Sequence, residues 1–384
     1  MQNSGFGGSW PGSGRPPEGG LSKTIVGVAL VWLALGGTVW AAPPAGDHEP
    51  ESAYGNGQLQ PWHIQGNVWL IGGEPGNTNV TVQAGPDGAI VVDTGAPAAA
   101  ADLLQSIDRL ARRQPLLDPG IKPIHLIIDT SSATDHVGGN AVLREGGSTL
   151  LAGNAAFDVS FNPGAEVWSN ENVQLTMLAP GPDGQPGVPQ ALWPTQTRSE
   201  DLYSITYNGE PVQLFHPHAA ISNGDTMVLF RNSNVLVTGN ILDMDSYPII
   251  DTRHGGTIDG ELVALNRILD LAVPGPYEEG GTLIVPGHGH LCDQGVAVAY
   301  RNTITQIRDR IQYYKNRGMT LAQVLALKPT YDSDSRFAAS AETAAQFVRA
   351  VYQTLPAKGP MFSMHAEYVV PAGAGLAARG REVY

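Results

Sequence analysis

Asp135 and His136 are neighbours, and both carry side chains that can ligate a metal. An apolar run, Ile124 to Ile128, precedes them and reads as a buried strand. Gly138 and Gly139 follow, and then an apolar–polar pattern that opens a helix to about Arg144. The two groups therefore sit on the turn between a strand end and a helix. Imidazole and carboxylate are ordinary zinc ligands. An ion held there would polarise a carbonyl or phosphoryl oxygen and generate hydroxide near neutral pH. Asp135 also has a purely structural reading, as the cap of the helix beginning at His136. His216 and His218 alternate along a strand, so both rings face one side and could act as a ligand pair. Such pairs are more often incidental. His254, in Arg253-His-Gly-Gly256, lies on a glycine loop and could line a pocket. The single cysteine, Cys292, reads as packing and allows no intrachain disulfide.

Other chemistries lack their residues. There is no Gly-x-Ser-x-Gly elbow and no phosphate-binding glycine loop ending in Lys-Ser/Thr. The formal net charge of -14 and pI near 5.0 argue against nucleic acid or an anionic membrane surface as partner. With 384 residues the chain is long enough for a large domain plus extensions, and 47 Gly and 29 Pro imply many turns.

The elements that must position these groups follow from periodicity. Val68–Ile71 and Asn79–Val82 read as strands, and Gly85-Pro-Asp-Gly88 turns the chain into Ala89–Val92. Asp93-Thr-Gly95 closes that strand, and Pro97 opens a helix with Leu103, Leu104, Ile107, Leu110 and Ala111 on one face. Thr149–Ala152 is an expected strand, and the proline-rich stretch 158–200 an expected long loop. Tyr203–Phe215 forms a hairpin around Asn208-Gly209, and Thr226–Phe230 a second one with Val235–Thr238. Asp259–Leu271 is helical, and Thr282–Val285 is a buried strand running into Pro286-Gly-His-Gly-His290. Helices dominate after Asp293, one opened by a capping box at Thr320–Gln323.

The stretch Thr130-Ser-Ser-Ala-Thr-Asp-His-Val-Gly-Gly139 resembles the signature loop of the metallo-β-lactamase superfamily, Thr-His-x-His-x-Asp-His-x-Gly-Gly. Thr130, Asp135, His136, Gly138 and Gly139 match it; Ser131 and Ala133 stand where the first two histidines belong. The resemblance implies an α/β fold, the αββα sandwich, over roughly residues 60–300, with a C-terminal helical extension. It also implies two metals. The third histidine of the first site would fall at Ile221, so the lost ligand positions are Ser131, Ala133 and Ile221. The second site maps onto Asp135, His136 and His288, all present. A metal-bridging carboxylate is expected after Thr238-Gly239, where Asn240 stands, and Asp93 matches a residue that would orient a ligand from behind. At most one zinc per chain follows from this resemblance.

At the N-terminus, residues 1–23 are polar and rich in Gly, Ser and Pro. Residues 24–42 form a charge-free apolar run after Lys23, with a cleavage pattern ending at Ala41. The run is also long enough to stay as a membrane anchor. The expected layout is a linker at 43–60, the sandwich at 61–300, a helical extension at 301–356 and a loose tail at 357–384. The first functional expectation is an exported, extracytoplasmic homologue of the zinc hydrolases with its two-metal catalysis impaired. The alternatives are a single-metal hydrolase of esters, lactams or lactones that depends on Asp135, and a non-catalytic module binding a protein partner through 158–200.

Overall fold

A computed structural model describes residues 59–72, 77–113, 122–149, 164–180, 187–275 and 280–362. The run 24–42, residues 150–152 of the expected strand, and the tail beyond 362 lie outside them. Among the described residues, no helix is long and apolar enough to cross a membrane.

The strands form two sheets. The first runs β1 (Trp62–Gln65), β2 (Val68–Ile71), β3 (Val80–Gly85), β4 (Gly88–Val92), β5 (Ile124–Ile128), β6 (Glu166–Asn170) and β7 (Gln196–Arg198) in sequence order. It is antiparallel as far as β4 and parallel from β4 to β7. The second contains β8 (Leu202–Tyr207), β9 (Glu210–Phe215), β10 (Met227–Phe230), β11 (Val235–Val237) and β12 (Leu283–Val285). Only its β11–β12 pair is parallel. Asn208 and Gly209, both at positive φ, make the tight turn between β8 and β9.

Alternation along the strands builds the layers. Ile90, Val92, Leu126 and Ile128 meet Val212, Leu214, Val228, Phe230, Val235, Val237 and Val285 between the sheets. The intervening Val91 and Ile127 face outward onto α1 (Ala100–Ala111), through Leu103, Ile107 and Leu110, and onto Leu143 of α3 (Asn140–Gly146). On the far side, Met227, Leu229, Leu236 and Ile284 face helices. Those helices are α5 (Ile258–Leu271), α6 (Gln294–Asn316) and α9 (Ala341–Thr354). Helix, sheet, sheet and helix thus stack in the expected αββα order, with the C-terminal helices continuing the second outer layer. Short α7 (Leu321–Ala326) carries the expected capping box between Thr320 and Gln323, and α8 (Asp334–Phe337) follows it.

Three local expectations change. The stretch 158–200 is not one long loop: it holds β6, α4 (Glu171–Leu178) and β7. β6 shows no alternating pattern because it pairs in parallel with β5 and is covered by its neighbours. Asn170 then caps α4 by accepting a hydrogen bond from Asn172 N. The helix after the metal-ligating pair is divided, with α2 (Thr134–Val137) separated from α3 by Gly138 and Gly139. A Cβ on Gly139 would lie 2.4 Å from the Thr94 carbonyl oxygen, so this close approach requires glycine. Thr149 belongs to no strand.

One core residue contradicts its surroundings. Glu261 of α5 is 0% exposed, and neither carboxylate oxygen has a protein hydrogen-bond partner. Burial first, and the nearby charge of Asp225 second, hold its carboxyl well above the ordinary range, so it is protonated in the fold. The unfolded group ionises near 4.5, so stability declines as pH rises past that value. Glu261→Leu is expected to raise stability by about 1–3 kcal/mol at pH 7.5, the usual cost of a buried polar group without a partner. The gain should be smaller at pH 4.5. Chemical denaturation at both pH values checks this; a loss of stability at pH 7.5 would contradict it.

Candidate metal centre

The site forms along the edge where the strands of both sheets end. β4 ends at Val92, and Asp93 directly after it takes a left-handed backbone at φ 62°. That unusual conformation turns its carboxylate toward the end of β5. Thr130, just past β5, donates to Asp93 twice, from its backbone N to Oδ1 at 2.8 Å and from Oγ1 to Oδ2 at 2.7 Å. His136 Nδ1 completes the set at 2.8 Å from Asp93 Oδ2. His136 is 0% and Asp93 1% exposed. Burial by itself would lower the His136 pKa, but the charge and hydrogen bond of Asp93 outweigh it and push it up to about 9.

The other ring nitrogen of His136 reaches across to the second sheet. Its Nε2 lies 2.9 Å from Asn240 Oδ1. Asn240 follows β11 in a tight turn begun by Gly239. Gly239 sits at φ 53°, and a Cβ there would come 2.6 Å from Thr130 Oγ1. A larger residue would push Thr130 off Asp93. His288 arrives from the loop after β12, stitched by bridges to Thr78 and Asp243. Its Nε2 is 3.2 Å from Asp135 Oδ2, and its ring stands edge-on to His136 with centroids 5.4 Å apart. Thr78 Oγ1 donates to the same Asp135 oxygen at 3.1 Å. The His288 hydrogen bond, acting against burial, and the charge of His136 hold the Asp135 carboxyl well below the usual carboxylate range.

Asp135, His136 and His288 therefore each offer a ligand atom, and the three lie within 4.8 Å of one another. Tetrahedral zinc with bonds near 2 Å keeps its ligand atoms about 3.3 Å apart. The triad fits one such ion after a small closure, with Asp93 already placed behind His136 as zinc-bound histidines require. Among the described residues, no other histidine, cysteine or carboxylate joins this group. His216 and His218 pair with each other instead, and His254 bonds Asp251 through Nδ1 at 2.5 Å.

A family model for the metallo-beta-lactamase superfamily matches residues 73–288. The chain belongs to the metallo-beta-lactamase superfamily. One solved structure agrees in fold. The stereoselective inverting sec-alkylsulfatase Pisa1 from Pseudomonas sp. superposes with TM-score 0.52 at 13% identity, covering 78% of this chain and 51% of the sulfatase. The chain thus spans about half the length of that enzyme. The metallo-beta-lactamase from Pontibacter korlensis aligns at TM-score 0.44 and 18% identity over 64% of this chain and 99% of its own. The BLEG-1 B3 metallo-beta-lactamase aligns at 0.45 and 21% over 62% and 99%. A search of curated proteins returns no match.

Ser131, Ala133 and Ile221, which the resemblance sets against histidines, have other partners here. Ser131 Oγ accepts from Ala133 N at 3.3 Å and lies 3.5 Å from Asn240 Nδ2. Ala133 caps α2 with its carbonyl, which accepts from His136 N and Val137 N. Ile221 is buried in the apolar cluster under the second sheet. Sequence reading missed Thr78 and the supporting role of Asn140. Asn140 donates to the buried Asp129 at 2.9 Å and accepts from Thr94 at 2.8 Å, tying the start of α3 to two strand ends. Thr78 gave no sequence signal, because nothing near it in the chain belongs to the site.

The Asp93–His136 pair carries a stability prediction. Removing one partner leaves a buried charge without compensation. Asp93→Ala is expected to cost about 3–5 kcal/mol in chemical denaturation. A cost below about 1 kcal/mol would show that the pair does not hold the two strand ends together.

Proposed function

We propose that this chain is a divergent metallo-hydrolase homologue that binds a single zinc ion on Asp135, His136 and His288, with the three-histidine first site lost and hydrolysis impaired. The observation that carries this reading is the meeting of those three ligand atoms within 4.8 Å, backed by Asp93 on His136 Nδ1. The loss of the first site rests on Ser131, Ala133 and Ile221, which offer no nitrogen to a metal, and on Asn240, whose amide is a weaker ligand than a carboxylate. When bound, zinc would supply Lewis acidity and a hydroxide near neutral pH for attack on an ester, lactam or lactone. The chain's own groups do the positioning. Asp93 keeps the proton on His136 Nδ1 and so commits Nε2 to the ion. Thr78 steadies Asp135 by its hydrogen bond. Asn240 leaves a neutral amide beside the ion, able to hydrogen-bond a small-molecule substrate without repelling an anionic one.

Residues 24–42 support a location outside the cytoplasm, released after Ala41 or retained as an anchor. The reading as a non-catalytic binding module has less behind it. Its loop, 158–200, contributes β6, α4 and β7 to the sandwich.

Elemental analysis of the full chain, stripped by chelator and reloaded with zinc, tests the proposal. The wild type is expected to retain about one zinc per chain. Asp135→Ala should lose the zinc of the triad and should also lose any ester, lactam or lactone turnover. Two zinc ions held by the wild type and by His218→Ala alike would overturn the loss of the first site, and none would overturn the metal assignment. Turnover kept by Asp135→Ala would overturn the single-metal chemistry.

A further inference from the structure

His216 and His218 stand apart from the triad, yet both rings are already arranged as metal-binding histidines are. His216 follows β9 directly, and its Nδ1 lies 2.8 Å from the backbone oxygen of Asp225. A carbonyl can only accept, so Nδ1 carries the proton and Nε2 of the neutral ring keeps a lone pair. His218 Nε2 lies 2.8 Å from Asp201 Oδ1. A carboxylate also accepts, so Nε2 carries a proton and Nδ1 of the neutral ring keeps the lone pair. The two ring centroids are 4.8 Å apart with planes at 74°. That spacing is compatible with one ion on both rings, whose free nitrogens would then stand about 3.3 Å apart. A ligating histidine whose second nitrogen donates to a carbonyl or carboxylate is the recurrent pattern around protein-bound metals, and here both rings show it.

The backbone holds the pair in place. His216 N donates to the Asp201 carbonyl oxygen at 3.0 Å, so Asp201 fixes both the strand end and the second ring. Ala219 takes a left-handed turn at φ 53°, and its carbonyl accepts from Thr257 N. Asp201 and Glu171 are the carboxylates that act on His216, and each favours a cation there. Burial, acting against the hydrogen bond to the Asp225 carbonyl, keeps the His216 ring below its ordinary pKa, so it is neutral and able to ligate.

We propose that His216 Nε2 and His218 Nδ1 form a second divalent-metal site, separate from the triad, oriented by Asp225 O and Asp201. Among the described residues only Asp135, His136 and His288 bring three such atoms within 4.8 Å, so this site has two protein ligands and is the weaker. Two imidazoles select Cu2+ over Ni2+ and Zn2+, following the general order of divalent affinities.

The test is copper titration of the full chain as wild type, Asp135→Ala, His218→Ala and the double variant, followed by electron paramagnetic resonance for nitrogen ligation. Asp135→Ala is expected to bind a Cu2+ with two-nitrogen coupling that the double variant loses. Asp201→Ala should weaken that copper by about 10–100-fold, the usual effect of removing an orienting partner. His218 is half exposed, so His218→Ala should leave the thermal melt unchanged and any loss can be read as loss of a ligand. Copper that binds the Asp135→Ala and double variants equally would overturn the proposal. So would Asp135→Ala that binds none. Failure of the triad to hold zinc, with the histidine pair still binding copper, would overturn the proposed function and leave this site standing.

Discussion

The whole site depends on one buried contact, the Asp93 carboxylate against Nδ1 of His136. Neither side chain meets solvent, so the charges persist only if their hydrogen-bonding capacity is filled. Thr130 supplies the remaining donors to Asp93. This demand fixes the surrounding backbone. β4 must be followed by a left-handed residue, β5 must end beside it, and the turn after β11 must begin with glycine to leave room for Thr130. A shift in any of these elements would leave a charge buried without its partner.

From that anchor the site is assembled across the gap between the sheets. Asp93, Thr130 and His136 belong to the first sheet and the turn after it, whereas Asn240 and His288 follow β11 and β12 of the second. The parallel β11–β12 pair carries those two loops side by side, and the bridge from Thr78 to His288 ties them back to the start of β3. The triad is thus a product of sheet packing. The alternating apolar residues that fill the sandwich also set the distance across which His136 Nε2 meets Asn240.

Buried charge elsewhere is handled by neutralisation. Burial, then the charge of Asp93, raise the carboxyl of Asp129 well above its ordinary range, and Asn140 donates to the oxygen that does find a partner. Burial pushes Asp225 up to about 7 against the hydrogen bonds of Ser222. Glu261 is protonated for the same reason. At His136 the effect of burial is outweighed, because Asp93 answers the ring directly. Ile221 is accommodated by the same logic of burial: an apolar side chain at that position joins the core of the second sheet and its helices.

Much of this was legible in the chain. Short-range signals sufficed for the hairpins at Pro86-Asp87 and Asn208-Gly209, the capping box at Thr320, the helix Ile258–Leu271, and the ligand-bearing turn at Asp135-His136. Each rests on residues a few positions apart, so periodicity and turn chemistry determine it. The match to the superfamily loop then carried the αββα order and pointed to His288, 152 residues beyond His136. Other features needed the folded chain. β6 is a strand because β5 lies beside it, and its few apolar residues could not announce it alone. Thr78 reaches Asp135 only because β3 is hydrogen-bonded into the first sheet near the His288 loop. The tautomers of His216 and His218 are set by a backbone oxygen and a carboxylate brought in by neighbouring strands. The sequence by itself determined which ligands exist and which elements carry them. Tertiary structure decided which of those ligands meet, because a contact between distant residues is fixed by the packing of whole sheets and not by the residues themselves.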